Sequence, residues 1–328
     1  MVQSKASITA IGSFVPEKRL TNDDLEKMVE TNDEWITSRT GIKERRITAE
    51  DEFTSTICVK AAEELQKVSG KTLEDLDLII VCTLTPDHKT PSVASLVQAD
   101  LGISGAGAFD LNAACAGFSY GLHVADGMIS SGLHRKVLVI GAETLSKITD
   151  YTDRATCILF GDGAGAALVE ADESTPSFLA ALTDSDGKKG EYLYCTDLSN
   201  QIGGEEVDSD GYVVQNGREV YKWAVKTVPQ GIDKLLNDAG VTIEEIDWFA
   251  PHSANMRMIE SICERTGIPV EKTLTSLEYY GNTSSATIPL SLREAQKDGR
   301  LKNGDLVLIY GFGGGLAQSA LLVRWHAE

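Results

Sequence analysis

Short apolar runs alternate along this chain with segments of helical periodicity, and this alternation limits its fold more than any other feature. The runs are rich in Val, Ile and Leu, which is typical of strands that other elements cover on both faces. A layered α/β fold accommodates such strands. The strand candidates are LDLIIVCT (76–83), KVLVIGAE (136–143), GAGAALVE (163–170), IDWFAPH (246–252), DLVLIYGF (305–312) and SALLVRW (319–325).

Apolar residues spaced three and four apart predict helices between these strands. The helix candidates are 23–30, 56–70, 92–102, 219–240 and 255–267, and a further helical run, FSYGLHVADGMISSG, follows Gly117. The basic run KERR (43–46) is typical of a solvated surface.

A weak internal sequence similarity indicates that the chain is built from two similar halves. LEDLDLIIVCTLTPD (73–87) resembles IEEIDWFAPHSAN (243–255), since each has acidic residues, an apolar strand and a polar loop. KVLVIGAE followed by FGDGAGAALVE resembles DLVLIYGFGGGLAQSALLVRW in the same order. Two matches in one order favour a duplication. The sequence therefore predicts halves at residues 1–172 and 173–328.

Composition excludes several classes of function. The 328 residues carry 49 acidic and 30 basic side chains, a formal charge of −19, which argues against binding to nucleic acid or to an anionic membrane. No apolar run approaches the roughly 18 residues of a membrane span, and the first residues do not resemble a signal peptide. The six cysteines lack CxxC spacing, so we expect no metal site and no disulfide framework, as in a cytoplasmic protein.

Cys115 stands among small residues in DLNAACAG (110–117), between a strand candidate and a helix candidate. A thiol at the start of a helix is favoured as a thiolate by the helix dipole and by free N–H groups. Asn112 is in position to cap that helix. The small neighbours allow a substrate and other backbone to approach. Taken alone, however, an isolated cysteine is more often core filler than a nucleophile.

Three other segments change that balance. His252 directly follows an apolar strand in WFAPHSAN, where α/β folds present functional groups. Asn282 lies in the glycine-containing loop EYYGNTSSAT before a helical run. The run GFGGG (311–315) is usually a tight turn, but its amides are also able to bind an oxyanion.

Together these elements resemble the thiolase-like condensing enzymes, most closely the β-ketoacyl-acyl-carrier-protein synthase III family. The resemblance covers nearly the whole chain. It includes TNDEWITSRTGIKERR (31–46), TPDHKTPS (85–92), NAACAGFSYGL (112–122), YTDRATCILFGDGAGA (151–166), PHSAN (251–255), YGNTSSA (280–286) and GFGGG.

The resemblance implies a five-layered αβαβα fold and an initiating decarboxylative Claisen condensation in fatty acid synthesis. It implies that Cys115 accepts the acyl group from an acyl-coenzyme A primer and passes it to malonyl-acyl carrier protein, with no cofactor beyond the thioester substrate. His252 and Asn282 then stabilise the enolate, and the amides of Cys115 and Gly314 form the oxyanion hole.

The same resemblance implies binding residues. Trp35 and Arg154 match the pair that sandwiches the coenzyme A adenine, and Arg39 matches a phosphate contact. Thr31, Gly217 and Asn255 match polar contacts along the nucleotide and the pantetheine arm.

Interactions with protein partners are implied as well. An acidic carrier protein needs a local basic patch on this acidic chain, and Lys222 and Arg257 match the docking positions, with Arg218 as a neighbour. Thr90 is expected to reach across a homodimer interface and floor the partner's acyl pocket. Some relatives have phenylalanine there, so larger primers are expected. Ser253 replaces the commoner glutamine in PHSAN, which suggests a changed contact at the tunnel mouth.

Alternative functions remain open at this point. A secondary-metabolite ketosynthase or acyltransferase uses the same three residues on other carriers. A thioester hydrolase acting through Cys115 and His252 is a different class, but the small-residue setting of the thiol argues against it. A silent carrier-protein binding module has no reason to keep Cys, His and Asn together.

Overall fold

Two mixed β-sheets dominate the computed structural model, which describes residues 3–208 and 210–327. The strands are β1 (Ala6–Phe14), β2 (Arg19–Thr21), β3 (Glu44–Arg46), β4 (Leu78–Cys82), β5 (Gly107–Leu111), β6 (Lys136–Thr144), β7 (Asp162–Ala171), β8 (Phe178–Ser185), β9 (Leu193–Cys195), β10 (Gln201–Ile202), β11 (Glu205–Glu206), β12 (Val213–Gln215), β13 (Trp248–Pro251), β14 (Leu306–Gly313) and β15 (Ala317–Arg324). The α-helices are α1 (Asn22–Leu25), α2 (Asp33–Thr40), α3 (Thr54–Ser69), α4 (Val93–Asp100), α5 (Gly117–Ser130), α6 (Arg154–Cys157), α7 (Gly217–Ala239), α8 (Met256–Thr266), α9 (Leu277–Tyr280) and α10 (Thr287–Lys297).

The two large sheets repeat one strand order. The first runs β1-β7-β6-β4-β5 and the second runs β8-β15-β14-β13. In both, the first three strands are antiparallel neighbours and the fourth is parallel to the third. The predicted boundary after residue 172 stays a prediction, and it falls between the end of β7 at Ala171 and the start of β8 at Phe178.

Helices cover both sheets and fill the space between them. Helices α3 and α4 pack on the outer face of the first sheet, α5 and α10 lie between the sheets, and α7 covers the second sheet with α8 beside it. The central core includes Phe118 and Leu122 of α5 together with Val139 of β6 and Ile309 of β14. This arrangement confirms the five-layered αβαβα prediction.

Each central helix is preceded by a short 3-10 turn. The turn Ala114–Ala116 leads into α5, and the turn Ser284–Ala286 leads into α10. Their first residues share a left-handed backbone, with φ of 45° at Ala114 and 49° at Ser284. The two turns are therefore equivalent elements of the two similar halves.

Two glycines show that each sheet holds the turn that belongs to the opposite half. A Cβ added to Gly141 of β6 would lie 2.5 Å from the carbonyl oxygen of Ser285, and one added to Gly311 of β14 would lie 2.8 Å from Cα of Ala116. Only glycine permits such close approach of two backbones.

The predicted strands and most predicted helices are present, but two predictions were wrong. The helix expected over 23–30 ends at Leu25, because no buried apolar stripe continues beyond it and Met28 is 53% exposed. The basic run KERR is not a solvated surface. Arg45 is fully buried in β3, where its guanidinium donates to the Ile158 carbonyl oxygen and, at 2.5 Å, to Oδ1 of Asn22.

In the described part of the chain, no helix is both long and apolar enough to cross a membrane.

Candidate active site

The thiol of Cys115 lies in the first 3-10 turn, just after β5. Asn112 accepts a hydrogen bond from the backbone N–H of Ala114 through Oδ1 at 3.2 Å, so it shapes this turn. The prediction that Asn112 caps the following helix was wrong, since α5 has Ala116 as its N-cap residue and no side-chain cap among the described residues.

Burial controls the chemistry of the thiol. Cys115 is 7% exposed, and desolvation raises its pKa to about 11. The nearby Ser284 hydroxyl and the N–H groups of Gly314 and Cys115 itself act on this pKa in the opposite direction. In the free protein, burial therefore outweighs the groups that favour the thiolate, and Cys115 is a neutral thiol. The thiolate has to be stabilised further during the reaction.

The run GFGGG is partly strand and partly turn. Strand β14 continues to Gly313, and only the residues after it turn away. A Cβ added to Gly313 would lie 2.7 Å from both Cβ and Sγ of Cys115. Glycine at this position therefore lets the end of β14 approach the thiol and brings the amide of Gly314 to the sulfur.

The imidazole of His252 is buried behind β13. Its Nδ1 lies 2.8 Å from Oγ1 of Thr287, and its ring makes an edge-to-face contact with Phe312 at 5.4 Å. Burial lowers the pKa of His252 to about 3, so the ring is neutral at physiological pH.

The amide of Asn282 is oriented by its own loop. Its backbone N–H donates to the Leu159 carbonyl at 2.8 Å, and its side-chain Oδ1 accepts from the N–H of Ser284 at 2.9 Å. Because Oδ1 is engaged, the Nδ2 amino group is the part of the side chain available to a ligand.

One cavity of about 930 Å³ brings these side chains together. Cys115, His252, Asn282 and Gly314 all line it, and Asn255 lines it too. The apolar part of its wall includes the buried side chains of the cluster Leu145, Phe160 and Val213. The cavity therefore combines a nucleophile and neutral hydrogen-bond donors with room for an apolar chain.

The aromatic and basic residues expected around adenine form a surface cluster. The guanidinium carbon of Arg154 lies 5.2 Å from the Trp35 ring centroid, and that of Arg39 lies 4.8 Å from it. A ring inserted between Trp35 and Arg154 needs two van der Waals layers of about 3.5 Å each. Arg154, which now donates to the Glu30 carbonyl at 3.2 Å, has to swing outward to admit it.

The other expected nucleotide contacts are spread over three elements. Asn255 lines the cavity and caps α8 by accepting from the Met258 N–H at 2.9 Å. Gly217 is exposed as the first residue of α7. The buried Oγ1 of Thr31 has no hydrogen-bond partner within residues 3–208 and 210–327.

The expected docking residues are exposed on two packed helices. Lys222 of α7 pairs with Glu219 at 2.6 Å, and Arg257 of α8 donates to the Ser38 carbonyl at 2.9 Å. Arg218 is exposed one turn before Lys222.

Two further expectations concern the cavity wall. Thr90 is exposed and does not line the cavity of its own chain, so its role toward a partner stays a prediction. Ser253 is fully buried, and its Oγ accepts from the Ser276 N–H at 3.2 Å. Ser253 does not line the cavity, and its effect at the tunnel mouth stays a prediction.

Glu143, at the end of β6, was not among the residues predicted from sequence. This side chain is fully buried, and its Oε2 accepts hydrogen bonds from the Thr83 hydroxyl at 3.1 Å, the Leu84 N–H at 3.1 Å and the Thr85 hydroxyl at 2.7 Å. The available signal was an acidic residue closing an otherwise apolar strand, KVLVIGAE.

The other oxygen of Glu143 faces the second 3-10 turn. Its Oε1 lies 3.1 Å from Oγ of Ser285, but that hydroxyl has a closer acceptor, the Cys82 carbonyl, at 2.7 Å. A hydroxyl has one proton, so the contact with Oε1 is satisfied best when Glu143 itself is protonated. Burial raises the pKa of Glu143 to about 7.

In the portion of the chain that the structure describes, no group of three or more His, Cys, Asp or Glu side chains is arranged to hold a metal ion.

Comparison with known proteins gives concordant matches. Residues 109–187 match the family 3-oxoacyl-[acyl-carrier-protein] synthase III, and residues 236–325 match its C-terminal part. The β-ketoacyl-[acyl-carrier-protein] synthase III 2 of Halalkalibacterium halodurans is 66% identical over 322 residues, which is 98% of this chain and 97% of that protein.

Solved structures agree with this match. The crystal structure of 3-oxoacyl-[acyl-carrier-protein] synthase III from Aquifex aeolicus is 45% identical, with a TM-score of 0.92 over 98% of this chain and 100% of that one. The corresponding β-ketoacyl synthase III from Thermus thermophilus is 44% identical, with a TM-score of 0.94 over 97% and 99% of the two chains.

Proposed function

The chain belongs to the β-ketoacyl-[acyl-carrier-protein] synthase III family, and on that premise we propose how its site carries out the reaction. The enzyme is an acyltransferase that initiates fatty acid synthesis. It condenses a primer acyl group, supplied as an acyl-coenzyme A, with malonyl-acyl carrier protein and releases CO₂, coenzyme A and a 3-oxoacyl-acyl carrier protein. The observation that carries this proposal is that Cys115, His252 and Asn282 are each more than nine-tenths buried and line one cavity.

In the first half-reaction, Cys115 takes the acyl group. A bond forms between Sγ and the acyl carbonyl carbon, the bond from that carbon to the coenzyme A sulfur breaks, and the thiol proton leaves on coenzyme A. The N–H groups of Cys115 and Gly314, which favour a negative charge on Sγ, bind the oxyanion of this step. Exclusion of water from the buried thiol protects the thioester from hydrolysis.

In the second half-reaction, loss of CO₂ from the malonyl group generates an enolate that needs neutral donors. The amino group of Asn282 is free for this role because its Oδ1 is occupied. His252 donates through Nε2 when the Thr287 hydroxyl turns its proton from the Ser284 carbonyl, 3.0 Å away, to Nδ1 of the imidazole. The enolate carbon then attacks the acyl carbon, the bond to Sγ breaks, and the resulting thiolate takes a proton from solvent. Each lost donor is expected to raise the barrier by about 2.7–4 kcal/mol.

Substrate binding extends from the cavity to the surface cluster. Trp35 and Arg154 hold the adenine after Arg154 has swung outward, and Arg39 contacts a phosphate. Thr31, with its unpartnered Oγ1 in the described chain, contributes a polar contact to the nucleotide. Gly217 and Asn255 line the path of the pantetheine arm. No cofactor is needed beyond the thioester substrate itself.

Assembly and location complete the proposal. Lys222 and Arg257 dock the acidic carrier protein, and a homodimer places Thr90 at the floor of the partner's acyl pocket. The described cysteines are free thiols, which is consistent with a cytoplasmic location.

The decisive experiment is intact-mass measurement after mixing with a panel of acyl-coenzyme A thioesters. The protein should gain one acyl mass, and Cys115→Ser should not. Cys195 is a stringent control because it is exposed and lines the same cavity. Cys195→Ser should still be acylated, and acylation that follows Cys195 would refute the assignment of the nucleophile.

A further inference from the structure

Ser284 has a hydroxyl group that the reaction described above does not use. The residue is 1% exposed, and its Oγ makes no hydrogen bond of ordinary geometry with any described residue. An orphaned buried hydroxyl is expensive, so a function that requires it is the economical explanation. Ser284 also lines the cavity that contains Cys115.

The backbone of Ser284 is held firmly in position. Its N–H donates to Oδ1 of Asn282 at 2.9 Å, and its carbonyl accepts from the Thr287 hydroxyl at 3.0 Å. Its φ of 49° is uncommon for a residue with a side chain. This fixed backbone keeps Ser284 in the wall of the cavity that also holds Cys115, and its nearby hydroxyl favours the thiolate form of that residue.

The ionisation state of sulfur explains why the hydroxyl is unpartnered at rest. A neutral thiol is a weak acceptor, whereas a thiolate is a strong one. We propose that Ser284 is a further catalytic residue, whose hydroxyl donates a hydrogen bond to Cys115 Sγ whenever that sulfur carries negative charge. This inference rests on the proposed function.

Negative charge appears on Sγ twice in each cycle. It develops as the thiol gives up its proton and bonds to the acyl carbon, and it returns when the carbon–sulfur bond breaks after attack by the enolate. Ser284 contributes no proton to the balance in either step. It only stabilises the charge, because a hydroxyl whose pKa is far above that of a thiol stays protonated.

The test compares Ser284→Ala with Thr283→Val. Alanine suits position 284, since Ala114 has nearly the same φ in the equivalent turn. The Thr283 hydroxyl is also fully buried and unpartnered within the described residues, but Thr283 does not line the cavity. It is therefore a matched control for deleting an orphaned hydroxyl from this turn.

Alkylation of Cys115 by iodoacetamide as a function of pH is the first readout. In Ser284→Ala the thiol should titrate about one pH unit higher, and acylation by acyl-coenzyme A should slow by about 10- to 100-fold, the loss expected for one hydrogen bond to a charged group. Decarboxylation of malonyl-acyl carrier protein should stay within about threefold of the unmodified enzyme. Thr283→Val should change the thiol titration and acylation less than twofold.

An unchanged titration of Cys115 in Ser284→Ala would overturn the inference, even if activity fell. Should that variant fail to fold, Ser284→Gly, which accepts positive φ without strain, replaces it with the same expectations. Failure of the unmodified protein to be acylated by any thioester would instead refute the proposed function, because alkylation does not depend on it.

Discussion

Replacement of Glu143 by glutamine should stabilise the protein at neutral and alkaline pH. Three donors already face Oε2 of Glu143. One of them, the Leu84 N–H, is shared with Oε1 at the longer distance of 3.3 Å, and Oε1 also faces the Ser285 oxygen, whose proton is directed elsewhere. A glutamine side chain fits this arrangement, with its carbonyl oxygen on the three donors and its amino group donating to Ser285. It reproduces the protonated acid and has no charge to lose.

The magnitude follows from the two pKa values of Glu143. Burial raises the pKa to about 7 in the folded state from its ordinary 4.5. Between these values the folded state keeps a proton that the unfolded state has released, so stability falls as pH rises through this window. At 1.36 kcal/mol per pH unit the full loss is about 3 kcal/mol. Glutamine removes that loss.

Denaturant unfolding of both proteins at pH 5, 6, 7 and 8, at one protein concentration, measures the difference. The variant should gain on the unmodified protein as pH rises and exceed it by up to about 3 kcal/mol at pH 8. A difference that stays constant across the series, or a variant that is less stable at pH 8, would refute a protonated Glu143 in the fold.

Asp162 provides the matched control. Burial raises its pKa as well, but both carboxylate oxygens accept backbone N–H bonds at 2.8 Å, from Ser146 to Oδ1 and from Thr48 to Oδ2. An asparagine there must direct its amino group at one of these donors. Asp162→Asn should therefore be destabilising by about 1–3 kcal/mol throughout the pH series, in contrast to Glu143→Gln.

The other predictions concern the chemistry and the partners. His252→Ala and Asn282→Ala should slow malonyl decarboxylation by about 100-fold or more while the thiol is still acylated; lost acylation with intact decarboxylation would contradict their roles. Charge reversal at Lys222 or Arg257 should raise KM for malonyl-acyl carrier protein several-fold, less so at high salt, and leave KM for acyl-coenzyme A within about twofold. Equal effects on both substrates would indicate misfolding or a shared site. Thr90→Phe should shift kcat/KM from branched primers toward acetyl, since each buried methylene is worth about 0.8 kcal/mol; strict acetyl preference in the unmodified protein would exclude this.

The fold could be predicted from the sequence because a strand that is buried along its whole length appears as a continuous apolar run. All nine residues of β6 are buried, and the pattern KVLVIGAE predicts the strand almost to its ends. Motif order also predicted which residues follow which strands, and the structure brings Cys115, His252 and Asn282 to one cavity, while their catalytic roles stay predictions.

Hydrogen bonds between residues that are far apart in the sequence produce no such pattern. The buried position of Arg45 depends on the carbonyl of Ile158, 113 residues away, and a run of charges does not reveal such a partner. The environment of Glu143 likewise depends on Ser285, 142 residues away. The sequence predicted that Cys115 favours the thiolate, because it shows where a helix starts. It does not show how deeply the thiol is buried, and burial is what decides the pKa of Cys115.

The two equivalent 3-10 turns meet across the middle of the molecule, and this has a consequence for symmetry. A symmetric dimer of one half must carry the same residue on both turns, so a cysteine on one would mean a cysteine on the other. When the two halves are joined in one chain, this symmetry constraint no longer applies. One turn keeps the thiol of Cys115, and the equivalent turn is free to carry Ser284 and Ser285 and to follow Asn282. The cavity that the two turns share is therefore asymmetric, with a thiol on one turn and hydroxyl groups on the other.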